Sequence, residues 1–202
     1  MTQNIIEEVK KIVKAKLDKE ESGHDWFHTL RVFNNACKIA DTENCHLLTV
    51  QLGALFHDIA DHKFGYSDED RKNIIGNLLL NLNVPSDIIE NVIYIANSIS
   101  FKGGKNPVIL KNIESKIVQD ADRLEAIGAI GIARTFTYGG FKGRAIYNPD
   151  SSVENSDSIS HFYEKLLKLK ETMNTETGRN LANERHKFME LFLEEFYKEW
   201  NY

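Results

Sequence analysis

Residues 47–58 read LLTVQLGALFHD, an almost wholly apolar run that closes on His57 and Asp58. Apolar side chains on nearly every face of such a segment are typical of a helix buried in the centre of a helical domain. An imidazole and a carboxylate side by side at its end place two metal-ligand side chains next to the core. The run therefore predicts both a helical core and a candidate functional site.

Helical patterns extend along the chain on either side of this run. The 202 residues include only three prolines, which leaves long uninterrupted segments. Apolar stripes, caps and glycines predict helices at 5–17, 25–41, 47–58, 67–82 (cap Ser67), 86–99 (cap Ser86), 113–136 with a break near Gly128 and Gly131, 157–170 and 175–200. The segments 101–107 and 138–156 are rich in Gly, Asn or Pro, so we interpret them as loops.

These patterns predict an all-α fold, a helical bundle of about eight to nine helices. We expect one domain over residues 1–202, with a motif core at 22–135 and C-terminal helices at 157–200 packed on it. The 138–156 loop is longer than most connections, which makes it a candidate active-site loop.

The composition is that of a globular protein, with 42% hydrophobic and 27% charged residues. A net charge of −5 gives no general attraction to nucleic acid or anionic membranes, so neither is expected as a partner. Cys37 and Cys45 form no CxxC motif, and no apolar stretch reaches membrane-spanning length. We expect a cytoplasmic protein. The C-terminal aromatic residues have helical spacing typical of core or dimer contacts, so a homodimer is left open.

Two further candidate ligands lie at helical positions, His28 upstream and Asp122 downstream. Two imidazoles and two carboxylates suit Mn, Fe, Co, Ni or Zn, and contain too much nitrogen for a Ca²⁺ or plain Mg²⁺ site. Taken singly, His57 and Asp58 could be a polar helix end and Asp122 a solvated carboxylate. The interpretation as a set therefore depends on the flanking sequence.

Three stretches carry a resemblance to a known family: GHDWFHTLRV at 23–32, LGALFHDIAD at 52–61 and IVQDADRLEAIGAIG at 117–131. An isolated His, an adjacent His-Asp pair and a distant Asp, in this order and helical context, resemble the HD superfamily of metal-dependent phosphohydrolases. The resemblance covers residues 22–135. Residues 161–200 also look like the C-terminus of a bacterial subgroup of small single-domain HD hydrolases.

The resemblance implies that the metal ligands are His28, His57, Asp58 and Asp122. It implies a divalent metal that acidifies water and polarises a phosphoryl oxygen. We expect manganese, with Co, Ni, Fe, Zn or Mg as alternatives. Asp58 thereby counts as catalytic, and Asp61, three residues later, is the candidate general base that positions the attacking water, with a surface carboxylate as the alternative. Asp25 would either orient His28 or complement the charge of a helix N-terminus.

Basic side chains are the candidate contacts to substrate phosphates, although each taken alone is more often solvated. They follow Asp61, lie in the 138–156 loop, adjoin Asp122, or stand four residues apart on the 157–170 helix. The substrate-binding candidates are His62, Lys63, Arg123, Lys142, Arg144, His161 and Lys165. Arg123 has the alternative of a structural ion pair.

Residues 24–28, HDWFH, place two histidines four apart, like the HExxH motif of zinc peptidases with Asp in place of Glu. Asp is shorter by a methylene, and no further peptidase ligand pattern follows. The peptidase interpretation therefore has little weight, and His24 is interpreted as a capping or rim residue.

The leading hypothesis is hydrolysis of a nucleoside or deoxynucleoside triphosphate to the monophosphate and pyrophosphate, because the resembling subgroup includes nucleotide pyrophosphohydrolases. A nucleotidase or phosphodiesterase is the alternative within the enzymes. A non-catalytic nucleotide-binding sensor is the alternative from another class. The short chain and the absence of a GYP motif argue against a cyclic-dinucleotide phosphodiesterase.

Overall fold

The structure, a computed structural model, describes residues 2–17, 24–60, 65–99, 110–149 and 157–201. Within these residues the chain forms nine α-helices, one 3-10 helix and an isolated bridge between Ala145 and Asp157, which confirms the all-α class. The α-helices are α1 Thr2–Leu17, α2 Trp26–Ala40, α3 Leu47–Phe56, α4 Asp68–Asn81, α5 Ser86–Ser98, α6 Ile113–Glu125, α7 Gly128–Phe141, α8 Ser160–Glu164 and α9 Glu176–Trp200; the 3-10 helix spans Leu166–Thr172. In this part of the chain no helix combines the length and apolarity needed to cross a bilayer.

The chain divides into two compact units, Met1–Ala121 and Asp122–Tyr202. The organisation as one domain over residues 1–202 stays a prediction. In the first unit α3 is central and packs against α1, α2 and α5. A Cβ at Gly53 would lie 2.9 Å from Cδ1 of Ile95, so glycine allows the close approach of α3 and α5. The buried residues of α3 are Thr49, Val50, Leu52, Gly53, Ala54, Leu55 and Phe56, as the apolar run predicts.

Side-chain caps fix where the helices of the first unit begin. Asp25 caps α2, because its Oδ1 accepts a hydrogen bond from the backbone N–H of His28 at 2.8 Å. Ser67 caps α4 as predicted, in a capping box with Asp70. The prediction of Ser86 as the cap of α5 is wrong. Pro85 holds that position with an extended backbone, and Ser86 is the first helical residue.

The second unit departs from the predicted boundaries in two places. The break between α6 and α7 falls at Gly128, whose φ of +75° is in the left-handed region, as the sequence indicates. However, α7 continues to Phe141, so residues 138–141 are helical rather than part of a loop. Packing of α7 against α9 outweighs the roughly 1 kcal/mol that each helical glycine costs. The predicted 157–170 helix is only the short α8, followed by the 3-10 helix.

Aromatic rings of α7, α8 and α9 pack together in the second unit, where Phe162 is buried and Phe136 and Phe192 are half-buried. Phe192 stacks on Phe162 with ring centroids 5.8 Å apart and meets Phe136 edge-on at 5.9 Å. Farther along α9, Trp200 contacts Tyr147 at 5.0 Å. Phe192 is thus half-buried against the core residue Phe162 rather than part of the core itself, and a homodimer stays a prediction.

Candidate metal centre

Helix ends in the first unit bring four polar side chains together. His28 lies in the first turn of α2, and His57 and Asp58 follow the last residue of α3. All three are buried, at 0%, 3% and 6% exposure. His24, just before α2, is the fourth member of the cluster. The structure thus places three of the four predicted ligands side by side.

The nitrogen atoms of three histidines converge on one carboxylate oxygen, Oδ2 of Asp58. The distances to it are 2.7 Å from Nδ1 of His24, 3.4 Å from Nε2 of His28 and 3.3 Å from Nε2 of His57. Candidate ligand atoms of His24, His28 and Asp58 all lie within 4.8 Å of one another. Nitrogen and carboxylate donors at this spacing fit a divalent transition metal.

The orientation of His57 supports this fit. Its Nδ1 lies 2.8 Å from the backbone carbonyl of Ala54, which can only accept, so Nδ1 carries the hydrogen. In the neutral imidazole, the form that binds a metal, the lone pair is then on Nε2, which lies 3.3 Å from Nε2 of His28. Metal-binding histidines commonly donate their other ring N–H to a carbonyl in this way. The two facing nitrogens are arranged as ligands rather than as a simple hydrogen-bonded pair.

Electrostatics keep Asp58 ionised despite its burial. Burial alone raises the pKa of this carboxyl group. Without a metal, the charge of a protonated His57 and hydrogen bonds from His24, His28 and His57 outweigh that effect and hold the pKa of Asp58 well below its usual range. The cluster therefore presents a carboxylate anion, the form that binds a metal ion.

The structure excludes one of the two sequence interpretations of His24, a capping residue or a rim residue. His24 is not the helix cap, because Asp25 holds that position and caps with its side chain. Instead His24 contacts Asp58, which is 34 positions away in the sequence. Its ring is also edge-on to His28, with centroids 5.3 Å apart. The HDWFH pattern contained this histidine, but only its three-dimensional contact with Asp58 reveals its role.

The remaining predicted ligand, Asp122, is half-buried in α6 and is the first residue of the second unit. Burial lowers the pKa of the Lys165 ammonium group, and the carboxylate of Asp122 offsets part of that effect. The assignment of Asp122 as a ligand stays a prediction. The candidate base Asp61 and the candidate phosphate contacts His62 and Lys63 lie outside the described residues.

The second unit brings several predicted phosphate contacts near one another. The backbone N–H of Lys165 bonds to the carbonyl of His161 at 3.1 Å, and the 145–146 segment pairs with 158–159 ahead of α8. Burial lowers the pKa of His161, and the charges of Lys165 and Arg144 lower it further. Burial also lowers the pKa of Lys165, with Asp122 opposing this and Arg134 adding to it. Asp122 thus interacts electrostatically with Lys165, and Lys165 in turn interacts with His161.

Arg144 also lines a cavity of about 390 Å³ in the second unit. Its other lining residues are Phe136, Gly140, Ile146 and Ser158. The guanidinium carbon of Arg144 lies 5.8 Å from the ring centre of Tyr138, and Nζ of Lys142 lies 5.6 Å from it. The guanidinium of Arg123 donates a hydrogen bond to the carbonyl of Thr172. Substrate contacts by all of these residues stay predictions.

The two cysteines make hydrogen bonds to residues other than the candidate metal ligands. Gln51 donates to Sγ of Cys37 at 3.8 Å, and Sγ of Cys45 donates to the carbonyl of Ala40 at 3.9 Å. Burial raises the pKa of both thiols. Both therefore resemble structural thiols rather than activated nucleophiles.

Several known proteins are similar to this chain in sequence and in fold. The HD domain family model matches residues 26–127, a range that includes all four predicted ligands. Bacillus subtilis YpgQ is 40% identical over 96% of this chain and 92% of its own length. The crystal structure of an HD-superfamily hydrolase from Bacillus thuringiensis is 42% identical and covers 100% of this chain and 99% of its own, with a TM-score of 0.85.

A further crystal structure is that of Bacillus subtilis YpgQ in complex with ADP. In that comparison the two chains are 37% identical, with coverage of 96% of this chain and 97% of the other and a TM-score of 0.79. The family match, these relatives and the His-Asp cluster all indicate the same family. The chain belongs to the HD domain family, a superfamily of metal-dependent hydrolases.

Proposed function

We propose that this protein hydrolyses a nucleoside or deoxynucleoside triphosphate to the monophosphate and pyrophosphate. The observation that carries the proposal is the converged set of buried imidazoles around Asp58 in a chain of this family. The ADP complex of YpgQ supports a nucleotide as the substrate class. The half-buried basic groups of the second unit supply charges that complement a polyphosphate.

The proposed ligands are His28, His57, Asp58 and Asp122. A divalent ion held by them, for which manganese is our first choice, would acidify water and polarise a phosphoryl oxygen. His24 would orient the carboxylate of Asp58 through their 2.7 Å contact, as groups beyond the ligands do in metal sites. Imidazole and carboxylate side chains are both ordinary ligands of such ions.

The reaction forms a bond between a water oxygen and the α-phosphorus, and it breaks the bond between that phosphorus and the α–β bridging oxygen. Asp61 is the proposed base that takes the proton of the attacking water. Lys165 and Arg144 are proposed to neutralise the pyrophosphate leaving group, and His161 to contact it as a neutral hydrogen-bond donor.

A nucleotide panel tests this proposal. Protein loaded with Mn²⁺, Co²⁺, Ni²⁺ or Mg²⁺ is incubated with ribo- and deoxynucleoside triphosphates, and pyrophosphate is resolved from orthophosphate. We expect pyrophosphate and a monophosphate in equal amounts. Orthophosphate as the first product would instead indicate a nucleotidase. Tight binding without turnover would indicate a sensor.

A ligand variant tests the metal assignment separately. Asp122→Ala should lose metal and turnover together. A matched control is Asp87→Ala, which removes an exposed carboxylate from the first turn of α5. If Asp122→Ala kept both full metal content and full activity, Asp122 would not be a ligand. The cytoplasmic location stays a prediction that fractionation would test.

A further inference from the structure

A buried arginine lies directly behind the His57–Asp58 turn. Arg71, the fourth residue of α4, is 0% exposed and is the largest of the fully buried side chains among the described residues. Arginine is almost never fully buried unless its guanidinium is paired, because removing the charge from water is costly. Such a position calls for an explanation beyond helix formation.

The guanidinium of Arg71 joins two parts of the first unit. Its Nε donates to the carbonyl of Ala60 at 3.0 Å. Its Nη1 donates to the carbonyl of Ala96 at 2.6 Å and approaches Oδ1 of Asn97 at 3.5 Å. Ala96 belongs to the last turn of α5, where carbonyls have no partner within the helix and favour a cation.

Ala60 is the last described residue of the turn that carries the candidate ligands. Its φ of +51° is in the left-handed region, which is unfavourable for any residue with a Cβ. The turn begins where Ile59 N–H bonds to the carbonyl of Phe56 at 3.0 Å. His57 and Asp58 thus lie between a hydrogen bond at one end and the Arg71 contact at the other. An unfavourable backbone conformation persists only when its surroundings hold it.

We propose that Arg71 is a positioning residue of the metal centre: by holding Ala60 against the end of α5, it fixes the turn that presents His57 and Asp58. The inference rests on these two residues acting as ligands, as in the proposed function, and it does not depend on which phosphate compound is the substrate. Without the guanidinium, the left-handed turn loses its anchor and the ligands lose their preset geometry. Metal affinity then falls even though both ligands remain.

The test measures metal binding to the purified full chain. Arg71→Met keeps a long side chain and removes every donor, whereas Arg71→Lys keeps the charge but not the fork that serves Ala60 and Ala96 together. Calorimetric titration with Mn²⁺ gives the affinity, and the visible absorption of bound Co²⁺ reports the coordination geometry. Supporting groups behind metal ligands typically change affinity by about 10–100-fold. We expect a loss in this range for Arg71→Met, a smaller loss for Arg71→Lys, and a changed Co²⁺ spectrum in both.

Leu79→Ala is the matched control for general destabilisation. Leu79 is fully buried on the same helix, two turns beyond Arg71, and makes none of these hydrogen bonds. It should lower the thermal midpoint of unfolding and leave Mn²⁺ affinity and the Co²⁺ spectrum unchanged.

Each remaining outcome decides the proposal. Folded Arg71→Met with wild-type affinity and spectrum would overturn it, as would an equal loss of affinity in Leu79→Ala. If Arg71→Met does not fold, Arg71→Lys decides in the same way. Wild-type protein that binds neither ion would overturn the ligand assignment and this role with it, whereas metal binding without nucleotide hydrolysis would contradict only the proposed substrate.

Discussion

In the first unit the candidate ligands His28, His57 and Asp58 are buried and held by hydrogen bonds, whereas in the second unit the candidate phosphate contacts are partly open to solvent. Lys142 is exposed, and Arg144, His161 and Lys165 are half-buried. The difference matches what each task needs. Metal ligands must be fixed before the ion arrives, while groups that bind a mobile phosphate must remain accessible and keep their charge available.

The largest effect is expected when a ligand is removed from the buried cluster of the first unit. His57→Ala should abolish metal binding and lower hydrolysis on the order of 1000-fold, because the metal contributes several kcal/mol to the reaction. Elemental analysis of the purified protein and steady-state rates measure the two effects. His46→Ala, an exposed histidine at the opposite end of α3, is the control and should retain both properties. Full metal content in His57→Ala would refute the cluster as the metal centre.

The next largest effect is expected for Lys165, one of the candidate phosphate contacts of the second unit. Lys165→Met should raise the KM for a triphosphate about 10–100-fold, the range expected for a lost hydrogen bond to a charged group. Because burial lowers the pKa of this ammonium group, the folded state disfavours its charge. We therefore expect the variant to be no less stable than wild type in urea unfolding. Lys168→Met, an exposed lysine of the 3-10 helix, is the control, and a KM change shared by both variants would contradict a specific contact.

A smaller effect follows from the pKa of His161, which burial and neighbouring cations lower below 6.5. As the pH falls below 6.5, the unfolded state binds a proton that the folded state still resists. The free energy of unfolding should therefore decrease between pH 6.5 and the lower pKa of the folded state. His161→Phe should lack this part of the pH dependence. Urea unfolding of metal-free protein at several pH values from 7.5 to 5 would reveal it, and equal slopes for both proteins would contradict the burial of a neutral imidazole.

The smallest effect is expected for a helix cap of the second unit, whose loss should change stability but not substrate or metal binding. Oγ1 of Thr175 caps α9 by accepting a hydrogen bond from the N–H of Gly178 at 3.0 Å. Thr175→Ala should lower the free energy of unfolding by about 1 kcal/mol, while Thr175→Ser should restore most of it. Neither should change the KM or the metal affinity. If Thr175→Ala raised the KM and Thr175→Ser did not, the candidate phosphate contacts would depend on this helix end.

Local sequence patterns predict most of the helices and three of the four clustered side chains. The apolar run of α3 indicates a central helix without any knowledge of its neighbours, and Ser67 with Asp70 marks the start of α4. The resemblance to the HD superfamily identifies His28, His57 and Asp58, which the fold then brings together. These features depend on residues close in sequence or on a motif.

Other features depend on contacts between distant residues, which local patterns do not encode. His24 meets Asp58 across 34 positions, and the pattern around it predicted a capping or rim residue rather than this contact. Arg71 follows three acidic residues in a first helical turn, where an arginine is ordinarily solvated. The glycines of residues 138–141 indicated a loop, but packing of α7 against α9 keeps them helical.

The raised thiol pKa values of Cys37 and Cys45 have a practical consequence for spectroscopy. Maleimide reagents react with thiolates, so both native cysteines should react slowly near pH 7. A cysteine introduced at an exposed position, such as Glu195 on α9, would then accept a fluorophore or spin label in preference to them. The chain can be labelled at a chosen site with its own thiols left in place.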